Sequence, residues 1–208
     1  LFFAGIVFLI VGGIALAWWL EKKRTEEFQA VASELGLGFT PDGGDAIFAE
    51  IGRFEICQYG HAKRIRNILT GVRDDLQVFC FDYQYTTGSG KNSSTHRQTV
   101  VFIGSAVLDL PKFVLKPETF LHRIADVFGF KDINFDTHPK FSKMYRLNGS
   151  DEFRVRDAFP PAVLEWFERN PNLSMEADQD RLIVYRPNRQ EKPRDIPQSI
   201  DRAVEIHA

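Results

Sequence analysis

Asp82 and His96 are the first pair whose types suit acid–base chemistry. Asp82 lies inside an apolar run, flanked by Phe81 and Tyr83, and His96 opens the next run. If a hairpin turns around Gly90-Lys91, His96 falls opposite Tyr85, with Asp82 a few residues along. A buried carboxylate beside a histidine or tyrosine can move protons, which would make a hydrolase-like site. A satisfied polar contact is the commoner use of such a carboxylate, and no nucleophile accompanies this one. Asp132, Asp136 and His138 in DINFDTHP have spacing that could offer a metal two carboxylates and an imidazole. Pro139 and the surrounding polar residues fit a turn-rich loop equally well, and the sixth-position glycine of a calcium loop is missing.

Gly88-Ser89-Gly90-Lys91-Asn92-Ser93-Ser94 resembles a phosphate loop only superficially. The Walker pattern requires glycine where Tyr85 stands and Ser or Thr where Asn92 stands, and a helix should follow instead of a strand. It reads as a hairpin loop, and no nucleotide is expected. Cys57 and Cys80 lie in apolar runs outside any CxxC pattern, so structural zinc is not expected and each thiol should pack as a small hydrophobe. The basic stretch His61, Lys63, Arg64, Arg66 and Arg73 would attract an anionic leaflet or a partner, as would Lys91 in the loop; a solvated strand edge is the plainer reading. Formal net charge is −2, which argues against a nucleic-acid binder. Phe113, Phe120, Phe135, Phe141 and Tyr145 surround two Pro-Lys-Phe turns, and aromatics there must bury against the core or another protein. The expectation is no catalytic residue, no resident metal and no cofactor: not an enzyme.

The elements that must position these residues follow from periodicity. Phe28, Val31, Ala32 and Leu35 make a helical stripe ended by Gly36. Phe54–Gln58, Ile65–Val72, Leu76–Thr86 and His96–Ser105 read as strands, with Asp74-Asp75 as one turn. The third and fourth are apolar on both faces, so both should be central and covered by helices. Leu121, Ile124, Ala125 and Phe128 form a helical stripe bounded by Pro117 and Gly129. Ser150 is placed to cap a helix, Pro160-Pro161 to start another, and Asn170-Pro171 to end it. A hairpin pairs Leu173–Ala177 with Arg181–Arg186, and Ile200, Ala203, Val204 and His207 suggest a last helix. The fold class expected is α+β, with a mostly antiparallel sheet covered by helices.

The first twenty residues, LFFAGIVFLIVGGIALAWWL, carry no charge. As a helix they would span about 30 Å, the thickness of a bilayer's hydrocarbon core. Ala15-Leu16-Ala17 resembles a signal-peptidase site, but the run exceeds a signal core of roughly 7–15 residues. Trp18 and Trp19 fit an interfacial belt, and Lys22, Lys23 and Arg24 fit its cytoplasmic flank. Gly13 and Ala17 make a small-xxx-small pair, and with Gly5 and Gly12 they would let another helix approach closely. The domains expected are a single transmembrane helix over 1–20, a juxtamembrane amphipathic helix over 21–36 and a soluble α+β domain over 37–208. The arrangement resembles bacterial proteins with one N-terminal anchor in the inner membrane and a compact cytoplasmic domain. Its implied partners are the bilayer and other integral membrane subunits, which the chain would serve as a non-catalytic accessory or stabilising subunit. A membrane-anchored enzyme using Asp82 and His96, or Asp132, Asp136 and His138, is one alternative. A small-ligand sensor module is another.

Overall fold

The structure is a computed structural model describing residues 2–121 and 132–207, with side chains for 9–120 and 132–206. Helix α1, Phe2–Leu35, is followed by β1 (Gly38–Thr40), α2 (Asp45–Ile51), β2 (His61–Arg73), β3 (Leu76–Thr87), β4 (Ser94–Gly104) and β5 (Leu110–Pro117). Then come α3 (Glu118–Leu121), α4 (Pro139–Met144), β6 (Tyr145–Gly149), α5 (Glu152–Asp157), α6 (Pro161–Arg169), β7 (Ser174–Gln179), β8 (Arg181–Tyr185) and α7 (Ile196–His207). The strands form one eight-stranded sheet in the order β1-β2-β3-β4-β8-β7-β5-β6, with every neighbouring pair antiparallel.

The double-sided apolar runs explain the layers. In β4, Val101 and Ile103 face one core while Val100 and Phe102 face the other; β8 divides Leu182 and Val184 from Ile183 and Tyr185 in the same way. One core is closed by Phe28, Val31 and Ala32 of α1 with α5, α6 and α7. The other is closed by Ile47 and Ile51 of α2 with Ile56 and Cys57. β3 and β4 are therefore central and covered, as their composition requires. The loop aromatics resolve inward: Phe113, Phe141 and Tyr145 are buried and join Phe159 and Phe167 in one knot of ring contacts. Both cysteines are buried and free, and burial raises the Cys57 thiol to about 12.

Several local expectations are corrected. Phe54–Gln58 is not a strand; Glu55–Cys57 winds into a 3-10 turn, where Ile56 and Cys57 are buried against the sheet without joining it. Pro111-Lys112-Phe113 lies within β5, where a register shift between Leu110 and Phe113 accommodates the proline, which cannot donate to the ladder. Pro139-Lys140-Phe141 forms the first turn of α4. Asp151, not Ser150, caps α5, accepting a hydrogen bond from the Arg154 amide. The stripe Leu121, Ile124, Ala125 and Phe128 lies outside the described residues apart from the backbone of Leu121.

α1 is continuous from Phe2 to Leu35. Among the described residues no helix is long and apolar enough to cross a membrane. The structure therefore does not supply the transmembrane span expected over Leu1–Leu20; the side chains of residues 1–8, Gly5 included, lie outside the described residues. From Leu9 to Leu20 the large apolar side chains of α1 stand exposed, Leu9 at 75 % and Trp18 at 65 %.

Candidate functional site

Two polar constellations stand out, one where α1 enters the domain and one in a cleft at the far end of the sheet. At the first, α1 runs past β2, β3 and β4. The Arg24 guanidinium donates from Nε to Asp82 Oδ2 at 2.7 Å and from Nη2 to Oδ1 at 2.8 Å. Asn67 donates to Asp82 Oδ2 and Thr99 to Oδ1, both at 2.9 Å, so the carboxylate's two oxygens receive four hydrogen bonds. Thr25 on the helix donates to the Asn67 side-chain carbonyl, and Arg66 pairs with Glu21 at 2.7 Å. Asn67 reaches this position because β2 slips register between Arg66 and Leu69 and Asn67 adopts φ 52°, a left-handed conformation asparagine tolerates. The arrangement clamps helix to sheet.

This geometry relocates several residues singled out from sequence. Arg24 does not stand with Lys22 and Lys23 at a membrane surface; its side chain is turned into the domain. Lys22 and Lys23 remain outside, over the Trp18 and Trp19 rings and beside Glu26 and Glu27. Arg64 and Arg66 line a small pocket at this joint but are paired with Asp42 and Glu21. Lys63 does not line that pocket, and Lys91 stands exposed at the tip of the β3–β4 hairpin. Gly12, Gly13 and Ala17 lie on the projecting part of α1, with open space around both glycines.

Asp82 and His96 do not form a dyad. His96 pairs with Tyr85, as the hairpin reading requires, while Asp82 pairs with Thr99, three residue pairs along. That is a separation of about 10 Å along the strands. The His96 ring instead stacks on Tyr85 and hydrogen-bonds to Thr87 and Asn188 at 2.8 and 2.7 Å. Asp132 accepts hydrogen bonds from the Leu147 amide and Asn134, and His138 contacts Thr137. Asp132, Asp136 and His138 thus do not converge on a metal position; among the described residues no three His, Cys, Asp or Glu side chains could hold one.

The second constellation was not foreseen. On the α2 side of the sheet, β5, β6 and β7 turn Val114, Asn148, Glu176 and Asp178 toward a cleft of about 460 Å³, closed on the other side by Phe54, Glu55 and Gln58. At its floor Glu176 is 1 % exposed. It accepts from the Ile56 amide at 3.2 Å and from the Tyr185 hydroxyl at 2.8 Å. Beside it, Glu55 Oε1 accepts from Lys116 Nζ and from the Tyr59 hydroxyl, and Lys116 also lies over the Tyr59 ring. Two buried carboxylates thus share one cation. Burial pushes Glu176 up to about 7, with Glu55 adding to the rise and Lys116 opposing it. The sequence signal was a charge inside each of two apolar strands, Lys116 in FVLKP and Glu176 in LSMEA.

Together these features define a class: an antiparallel α+β domain carried on the end of a long, projecting helix. No family model and no curated protein matches the chain. Among solved structures, the crystal structure of the mycobacterial trehalose monomycolate transport factor A, TtfA, is similar. The TM-score is 0.62 at 12 % sequence identity, covering 88 % of this chain and 93 % of that one. The likeness establishes a shared fold.

Proposed function

We propose that this chain is a single-pass, membrane-anchored, non-catalytic accessory subunit that docks on a larger membrane protein complex. The observation carrying this reading is the Arg24–Asp82 clamp, which fixes an exposed apolar helix rigidly to the domain. A helix apolar around its whole circumference needs lipid or protein to cover it. The charge-free run of residues 1–20 is long enough for a bilayer core, and Lys22 and Lys23 flank it. By the positive-inside rule the domain would lie on the cytoplasmic side of an inner membrane. Gly13 and Ala17, exposed on the projecting helix, would admit a partner helix at close range. The similar fold of TtfA, a mycobacterial trehalose monomycolate transport factor, is consistent with service to a membrane transporter.

The test is purification of the tagged chain in mild detergent, with composition read by native mass spectrometry. Stoichiometric membrane partners are expected. Replacing Gly13 and Ala17 together by leucine should release those partners while the domain keeps its thermal unfolding midpoint. A monomer from native membranes would overturn the docking reading. A chain extracted from membranes by carbonate alone would overturn the anchor.

A further inference from the structure

The cleft over Glu176 does no work in anchoring or in helix docking, yet it holds a carboxylate that burial pushes well above its ordinary range. The apolar side chains on its inner wall are those of Phe54 and Val114, while Phe113 and Ala177 contribute backbone and turn their side chains to the opposite core. Its floor has two carboxylates, with one lysine bound to Glu55 behind them, so when both acids are ionised a net negative charge remains. Two acceptor positions are left over there. Glu55 Oε2 takes no hydrogen bond from any described residue, although that side chain is only 9 % exposed. Glu176 Oε2 receives only a share of the Ile56 amide, at 3.3 Å. Arg53 and Lys112 also line the cleft, but Arg53 is held toward Asp180 at 3.9 Å and Lys112 stands exposed, and neither is paired with Glu55 or Glu176.

We propose that this cleft binds a small organic cation, a primary ammonium or guanidinium on a short apolar body, with its charge seated between Glu55 Oε2 and Glu176 Oε2. Phe54 and Val114 would cover the apolar part, which gains by leaving water. A cleft of this size falls in the range of small-molecule sites. Because Glu176 holds a proton up to about pH 7, the entering cation displaces that proton to solvent. Lys116, Tyr59 and Tyr185, which hold the two carboxylates from behind the lining, keep their present hydrogen bonds as this happens, and Asp178 in the cleft lining adds to the attraction. The inference is independent of the membrane anchor.

Calorimetry on the full chain in detergent tests it, with n-butylammonium and n-butylguanidinium as probes and 1-butanol and butyrate as neutral and anionic counterparts. Both cations should bind at least tenfold more tightly than the counterparts. Their affinity should rise about tenfold between pH 6 and pH 8, as the competing proton leaves. Glu176→Gln should weaken cation binding at pH 8 at least tenfold and flatten its pH dependence. Val114→Phe, which fills the cleft and leaves both carboxylates in place, should also abolish binding, so the conclusion does not hang on one variant. Butanol binding as well as the cations, butyrate binding better, cation affinity surviving both substitutions, or no cation binding by about 10 mM would each overturn the proposal.

Discussion

Asp82 and Glu176 are both buried carboxylates in the same sheet, and the protein treats them in opposite ways. Asp82 meets a forked guanidinium, an amide and a hydroxyl, so its charge is matched and its lone pairs are filled. Glu176 meets a backbone amide and a phenol, and its nearest cation is bound to Glu55. Burying a charge is tolerable when it is paired and hydrogen-bonded, and costly when it is not. The first carboxylate therefore acts as a fastener. The second is a strained group facing a cleft, the arrangement from which ligand sites are commonly built.

The comparison breaks most visibly at Arg24. Arg24→Met would leave Asp82 charged and buried with only neutral donors, so unfolding free energy should drop by about 4 kcal/mol in denaturant melts. Asp82→Asn should cost less, because the Arg24 side chain is one-fifth exposed and can turn to water. Equal losses for the two variants would mean that the clamp is not asymmetric in the way its burial implies.

Glu176 should respond with the opposite sign. Its folded value near 7 lies above an ordinary value of 4.5, so the native state holds the proton more tightly than the unfolded state does. The resulting stabilisation is complete below about pH 4.5 and is lost as pH rises through 7. Glu176→Gln should then stabilise the protein at pH 8 by up to about 3 kcal/mol relative to the parent, and hardly at all at pH 4.5. A variant less stable than the parent at pH 8 would show that the carboxylate is needed in its charged form. The smallest effect belongs to His96. Its contacts with Thr87 and Asn188 are partly exposed, so His96→Ala should cost under about 1 kcal/mol and leave partner recovery and cation binding unchanged.

Much of the sheet could be read in advance because β3 and β4 carry apolar residues on both faces, a local property of each run. The turns at Asp74-Asp75 and Asp178-Gln179-Asp180 were equally readable, since left-handed backbone at Asp74, Asp75 and Gln179 suits hairpin turns. β5 was hidden by Pro111, which looks like a breaker until a register shift excuses it. Phe54–Gln58 reads as a strand because Phe54, Ile56 and Cys57 suit one, and nothing local says that the sheet's pairing positions are taken by other chain segments. The Asp82–His96 pairing failed for a different reason. The register was right, but the partner that claimed Asp82 came from α1, 58 residues earlier.

From sequence alone came the apolar run of the first helix and the central strands, because each depends on residues near one another along the chain. Tertiary structure decided what the charged residues do. Arg24 looked like a membrane-facing cation and became a clamp, while Glu55 and Glu176, 121 residues apart by numbering, became the floor of one cleft. The physical reason is that burial and charge pairing arise only when distant segments pack together. Local composition sets which residues could be buried, and packing sets which charges must then find one another.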